Sequence, residues 1–174
     1  MVVLPGFMGG WNTPATYYPV LALLDGGFDA LCLDSIYSEH PTIHVLTADA
    51  HAALEAARRA GDYSQFAVAG KSLGTLAIAE LLLDGTIPAD TASIWLTPLL
   101  RNERTKSALD AIERRALIVI GTADPHYDPE VLRTLRHTVA VIEGANHGLA
   151  VDGDAVASAE IPRRLVAAVR DYVA

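Results

Sequence analysis

Short apolar runs alternate with helical patterns along almost the whole chain. The runs are Val2–Leu4, Asp29–Leu33, Phe66–Ala69, Ser93–Leu96, Leu117–Ile120 and Val139–Ile142. They are too short for helices, and several are β-branched and apolar throughout, as strands buried on both faces must be. Helical patterns lie between them: Tyr18 to Leu24, Leu46 to Ala60, Leu73 to Leu83, a start signal at Asp128-Pro129-Glu130, and a last helix with Ile161, Leu165, Val169 and Val173 four apart. Arg101 to Arg115 is charged and has room for a short surface helix. Repeated strand–helix–strand units dictate a mostly parallel six-stranded sheet covered by helices on both faces, an α/β/α three-layer sandwich. In such sheets ligands bind beyond the carboxyl ends of the strands. Residues capable of chemistry are therefore expected just after several of the runs.

The 174 residues suffice for one domain, residues 1–174, with a sizeable core. No apolar run approaches the ~20 residues of a membrane span. Met1-Val2-Val3-Leu4 leads straight into Pro5-Gly6 with no signal-peptide pattern. The net charge is −8 and the basic residues are scattered, which argues against a nucleic-acid partner. Cys32 is the sole cysteine, so an intrachain disulfide is impossible, and its apolar setting reads as a small buried hydrophobe. A cytoplasmic location is the expectation.

Gly70-Lys71-Ser72-Leu73-Gly74 falls between the third run and the third helix. A serine between flanking glycines on a sharp strand-to-helix turn is an exposed nucleophile. Gly70-Lys71-Ser72 also has the ending of a phosphate-binding loop, but that loop needs a glycine where Gln65 stands. After the fifth run comes Gly121-Thr122-Ala123-Asp124, and after the sixth Gly144-Ala145-Asn146-His147. Ser72, Asp124 and His147 thus follow in order, each just past a strand. A serine hydroxyl needs a base to take its proton during attack, and histidine titrates near neutrality. A carboxylate on the far side of the imidazole fixes its tautomer. Donors for a developing oxyanion are expected from the N–H of Leu73, at the start of its helix, and of Phe7, in the glycine-rich Leu4-Pro5-Gly6-Phe7-Met8-Gly9-Gly10.

These four stretches resemble the oxyanion loop, elbow, acid turn and histidine loop of the α/β-hydrolase serine esterases. The resemblance extends over nearly the whole chain. It implies hydrolysis of an ester-like bond, carboxylic ester or thioester, in a small acyl substrate through an acyl-enzyme, without cofactor. The alternative is a binding module on the same fold. The oxyanion loop of such proteins often begins His-Gly where this chain has Pro5-Gly6, and the residue before their serine is often His where this chain has Lys71. Leu96 to Leu117 is too short for a large cap, so a minimal fold without cap and an open, shallow site are expected.

Other residues compete for attention. Met8, Trp11, Lys71 and Thr97 are candidate pocket residues. Lys71 either attracts a substrate carboxylate or is an exposed side chain at the turn. Trp95 is either a pocket wall or a core contact. His126, beside Asp124, is the rival base. His40 and His44 sit at the pocket mouth or are solvated, and lack the spacing of a metal site. His51 and His137 read as surface residues.

Overall fold

The structure is a computed structural model that describes residues 1–7, 10–35, 37 and 39–173. Six strands, β1 (Val2–Leu4), β2 (Leu31–Cys32), β3 (Ala67–Lys71), β4 (Ala92–Leu96), β5 (Leu117–Gly121) and β6 (Thr138–Ile142), form one sheet in the order β2-β1-β3-β4-β5-β6. Every pairing is parallel. Six helices alternate with them: α1 (Pro14–Asp25), α2 (Ile43–Ala60), α3 (Leu73–Leu83), α4 (Glu103–Ala111), α5 (Pro129–Thr134) and α6 (Ala155–Val173).

Successive strand residues point to opposite faces, which divides the core in two. Val68, Trp95, Ile118 and Ile120 pack with Leu54, Ile78 and Leu109 from α2, α3 and α4. Ala69, Ile94, Leu117 and Val119 pack with Leu23 of α1 and Leu165 and Val169 of α6. Each fully buried leucine or isoleucine contributes about 1.5–3 kcal/mol by leaving water. Trp95 is completely buried, its Nε1 donating to Ser93 Oγ at 3.0 Å, so it is core and not pocket wall.

Local signals set most boundaries. Asp128 caps α5 by accepting from the N–H groups of Glu130 and Val131, and Asn102 caps α4 in the same way. Thr42 caps α2, which starts three residues ahead of the expected Leu46. Helix α1 departs further from expectation. It begins at Pro14, which suits the first helical position, and leaves Pro19 in the interior. Burial decides this: Ala15, Thr16, Pro19, Val20 and Leu23 form the stripe that faces the sheet, which outweighs the hydrogen bond that Pro19 cannot make. At the edge, β2 keeps only Leu31 and Cys32 of the expected five residues, and Cys32 is half-buried. His137, expected at the surface, is 9% exposed; its Nδ1 accepts from Ala116 N–H at 3.3 Å and its Nε2 lies 2.7 Å from Leu109 O.

Helix α3 carries the proposed nucleophile at its start and lies against β1 and β3. Its glycine makes that approach possible. A Cβ on Gly74 would collide with the Leu4 carbonyl oxygen and lie 2.9 Å from Pro5 O. Helix propensity alone favours alanine there by up to ~1 kcal/mol. Backbone atoms cannot yield as side chains do, so the collision dominates, and Gly74→Ala is expected to destabilise the fold by about 2–3 kcal/mol. Urea unfolding will show it as a lower midpoint with an unchanged slope; an unmoved midpoint contradicts the packing described.

Candidate active site

Because the sheet is wholly parallel, the residues following β1, β3, β4, β5 and β6 gather at one edge. Ser72 leaves β3 with φ 52° and ψ −114°, a conformation that costs a non-glycine residue about 1–3 kcal/mol. The turn is held on both sides. The Ser72 N–H donates to Leu96 O at 3.0 Å, and its carbonyl accepts from Thr75 N–H at 2.9 Å and Thr75 Oγ1 at 2.6 Å. This frees the hydroxyl to project beyond the sheet.

Asp124 sits in the turn after β5. Its side chain is wholly buried, and Oδ1 accepts the His126 N–H at 2.8 Å. His147 follows β6 in a loop folded around Asn146, whose Oδ1 accepts from Gly148 N–H at 2.8 Å and Ala150 N–H at 3.2 Å. Nδ2 of Asn146 donates to Asp152 at 2.7 Å. The loop presses onto the β5 turn: Ala123 N–H donates to Ala145 O at 3.0 Å, and Gly144 N–H to Thr122 Oγ1 at 2.8 Å. A side chain at Gly121 would strike the Ala145 carbonyl, so this contact also depends on a glycine.

The three side chains meet in a row. His147 Nδ1 lies 2.8 Å from Asp124 Oδ2, and His147 Nε2 lies 2.8 Å from Ser72 Oγ. Burial alone raises the Asp124 pKa. The hydrogen bonds from His147 and the His126 main chain, with the charge of both imidazoles, outweigh that and hold it below the usual carboxylate value. An ionised Asp124 accepts a proton-bearing Nδ1 and leaves the Nε2 lone pair facing the serine hydroxyl.

A cavity of about 570 Å³ opens in front of Ser72, lined among others by Gly6, Phe7, Leu73, Leu99, His126 and His147. Gly6 is so close that an added Cβ would lie 3.3 Å from Ser72 Cβ. Neither Phe7 N–H nor Leu73 N–H donates to an acceptor among the described residues. The Phe7 ring stacks on His40, centroids 4.1 Å apart and 9° from parallel, which brings His40 to the cavity wall although it is exposed to water. His44 is exposed at the start of α2. His126 also lines the cavity, its ring centroid 5.5 Å from that of His147, and its buried Nδ1 has no partner among the described residues. Burial lowers the His126 pKa; Asp124 opposes this while His147 and Arg101 add to it. Among the described residues no group of three or more His, Cys, Asp or Glu converges as metal ligands do.

The remaining candidates are dispersed. Lys71 lines the cavity, and it is not the exposed side chain at the turn that one reading of the sequence expects. Its Nζ donates to His147 O at 3.0 Å and Thr97 Oγ1 at 3.3 Å. Thr97 is fully buried behind it. Trp11 tilts against Tyr17 and is not among the cavity's lining residues. Met8 lies outside the described residues. Sequence reasoning missed Leu99, Thr13 and Gly148 in the lining and the bracing role of Asn146; the Asn-x-Gly spacing, typical of a side chain that closes its own turn, was the available signal for the last.

No family model and no curated protein matches the sequence. Solved structures do. Est1E from Butyrivibrio proteoclasticus, with ferulic acid bound, superposes with a TM-score of 0.74 at 15% identity over 98% of this chain and 86% of that one. A serine hydrolase without lid from Xanthomonas campestris gives 0.67 at 15% identity over 99% and 80%. The fold is that of the α/β-hydrolases. It is the form without a cap: β4 and β5 are joined through the single short helix α4. A monoacylglycerol lipase from Paleococcus ferrophilus shares the α/β-hydrolase fold, with a TM-score of 0.68 at 16% identity over 98% of this chain and 93% of that one. At these identities the likeness is one of fold. No helix among the described residues is long and apolar enough to cross a membrane.

The depressed Asp124 pKa has a consequence for stability. A carboxyl whose folded pKa lies below its unfolded value of about 3.9 stabilises the fold above that pH, and the contribution fades as pH falls through the folded value. Asp124→Asn is therefore expected to lower stability at pH 7 and to differ progressively less from the parent protein below about pH 4. Urea unfolding at pH 7 and pH 3 checks this; a gap that widens in acid contradicts the assigned direction.

Proposed function

We propose that this chain is a serine hydrolase that cleaves ester-like bonds of small acyl substrates, carboxylic esters or thioesters. The observation that carries the reading is the continuous hydrogen-bonded row from Asp124 through His147 to Ser72, opening on a cavity. In this mechanism Ser72 Oγ attacks the carbonyl carbon as its proton passes to His147 Nε2. The carbonyl oxygen becomes an oxyanion, which receives the N–H groups of Phe7 and Leu73; one such donor is worth about 3–4 kcal/mol of barrier. The adduct collapses, the C–O or C–S bond breaks, and the leaving alcohol or thiol takes the proton from Nε2. Water then attacks the acyl-serine, gives its proton to His147, and the acid departs as that proton returns to Ser72 Oγ. Asp124 stays ionised throughout, holding the imidazole tautomer and stabilising the imidazolium.

The cavity supports a small substrate. Its volume falls in the range that encloses one small molecule, and its wall near Ser72 combines the Phe7–His40 stack with Leu73 and Leu99. Est1E carries ferulic acid, a carboxylic acid of a size that such a cavity accepts.

A fluorophosphonate probe and p-nitrophenyl esters of graded acyl length test the reading. The parent protein is expected to be labelled and to turn over the shorter esters. Ser72→Ala is expected to lose labelling altogether, and Asp124→Asn to lower kcat on the order of 10³- to 10⁴-fold with the fold intact. Equal labelling of the parent and Ser72→Ala rejects Ser72 as nucleophile. No turnover of any ester by a folded protein favours a binding module instead.

A further inference from the structure

Lys71 is the last residue of β3, directly before the proposed nucleophile, and the hydrolytic steps give it no task. An ammonium taken out of water is destabilising unless it is hydrogen-bonded and paired. Burial pushes the Lys71 pKa down, and the Asp124 carboxylate works against that push. An apolar side chain of the same length would fill the space without this desolvation, so stability alone does not explain a lysine.

The acceptors explain it. One is His147 O, on the residue that carries the imidazole and 76 positions away in the chain. The other is Thr97 Oγ1, just past β4. The loop holding His147 is shaped internally by Asn146 and fastened to the β5 turn through Ala145 and Gly144. Among the described residues, its main-chain link to the elbow strand is the Lys71 ammonium. The linked segments are also the strained ones. The non-glycine residues with positive φ among those described are Ser72 at 52°, Thr97 at 45° and Leu149 at 57°. Ser72 follows Lys71, Thr97 accepts from it, and Leu149 lies two residues beyond the carbonyl it holds. A β-branched residue such as Thr97 rarely adopts this conformation unless its surroundings impose it.

We infer that Lys71 is a positioning residue: its ammonium clamps the His147 main chain to the elbow strand and to Thr97, so that the imidazole stays in register with Ser72. The consequence for catalysis rests on the hydrolase reading above; the clamp itself is read from the loop.

Lys71→Met keeps the length of the side chain and removes charge and donors together. It is expected to slow fluorophosphonate labelling and kcat by about 10- to 100-fold, the cost of a catalytic group displaced by about an ångström, with KM within about threefold. The melting temperature is expected to hold or rise, because a buried charge has gone. A lysine that served only the fold would lower melting temperature and rate together. Amide hydrogen exchange across residues 144–150 is expected to quicken about tenfold in Lys71→Met while the strands stay protected. Thr97→Val, which removes one acceptor, is expected to have a smaller effect and to add little in the Lys71→Met background. Unchanged exchange across 144–150 in Lys71→Met overturns the clamp, whatever the activity. Faster exchange with an unchanged labelling rate overturns the positioning role. If the parent protein is itself unlabelled, the hydrolase reading fails, and the exchange result still decides the clamp.

Discussion

The turn at Ser72 is the constraint on which the rest of the site depends. A serine with positive φ does not hold that shape unaided. Here β4 holds its N–H through Leu96 O, and Thr75 holds its carbonyl with two donors. Helix α3 must therefore begin at once, close under β1, and Gly74 is the residue that lets it do so. The neighbouring strand ends then lie within reach: Gly6 beside the hydroxyl, Thr97 behind Lys71, Asp124 and His147 in front. A parallel sheet makes this economical, because every loop at that edge follows a strand whose register is already fixed by its neighbours.

Much of this was legible in the sequence because the relevant signals are local. Continuous apolar runs such as Leu117–Ile120 have a single outlet, a strand buried on both faces, and Asp128-Pro129-Glu130 states a helix start in three residues. The approach of Ser72, Asp124 and His147 followed from chain order once the strands were parallel. What stayed hidden depends on partners remote in the chain. His137 gives no local sign that it will accept from Ala116 N–H, 21 positions away. Pro19 looks like a helix start because its own preference is visible, whereas the stripe it shares with Ala15 and Leu23 matters more. Phe7 and His40 stack across 33 positions by virtue of two loops that no periodicity describes.

Lys71 shows the same limit most clearly. In sequence it belongs to a five-residue turn, where a long charged side chain is expected to reach water. In the structure β3 runs on through Gly70 and Lys71, pairing them with Trp95 and Leu96, so the side chain is set by the strand and directed among the loops. One additional pair of ladder positions separates a solvated lysine from an internal one.

The charges around the site then form a coherent arrangement. The chain carries a net charge of −8, yet beside the proposed nucleophile the Lys71 ammonium and the Asp124 carboxylate carry opposite charges, and the carboxylate favours the ammonium. Burial lowers the His126 pKa against the opposing pull of Asp124, which disfavours a second cation beside His147. Hydrolysis by the proposed route creates one more pair, an oxyanion near Phe7 and Leu73 and an imidazolium at His147. Asp124 favours the imidazolium directly, through a hydrogen bond from its ring. Lys71 cannot favour it, since like charges repel, and its ammonium is spent instead on the His147 carbonyl and on Thr97. Electrostatics thus assigns the two charges different tasks: the carboxylate acts on the ring, and the ammonium acts on the backbone that carries it.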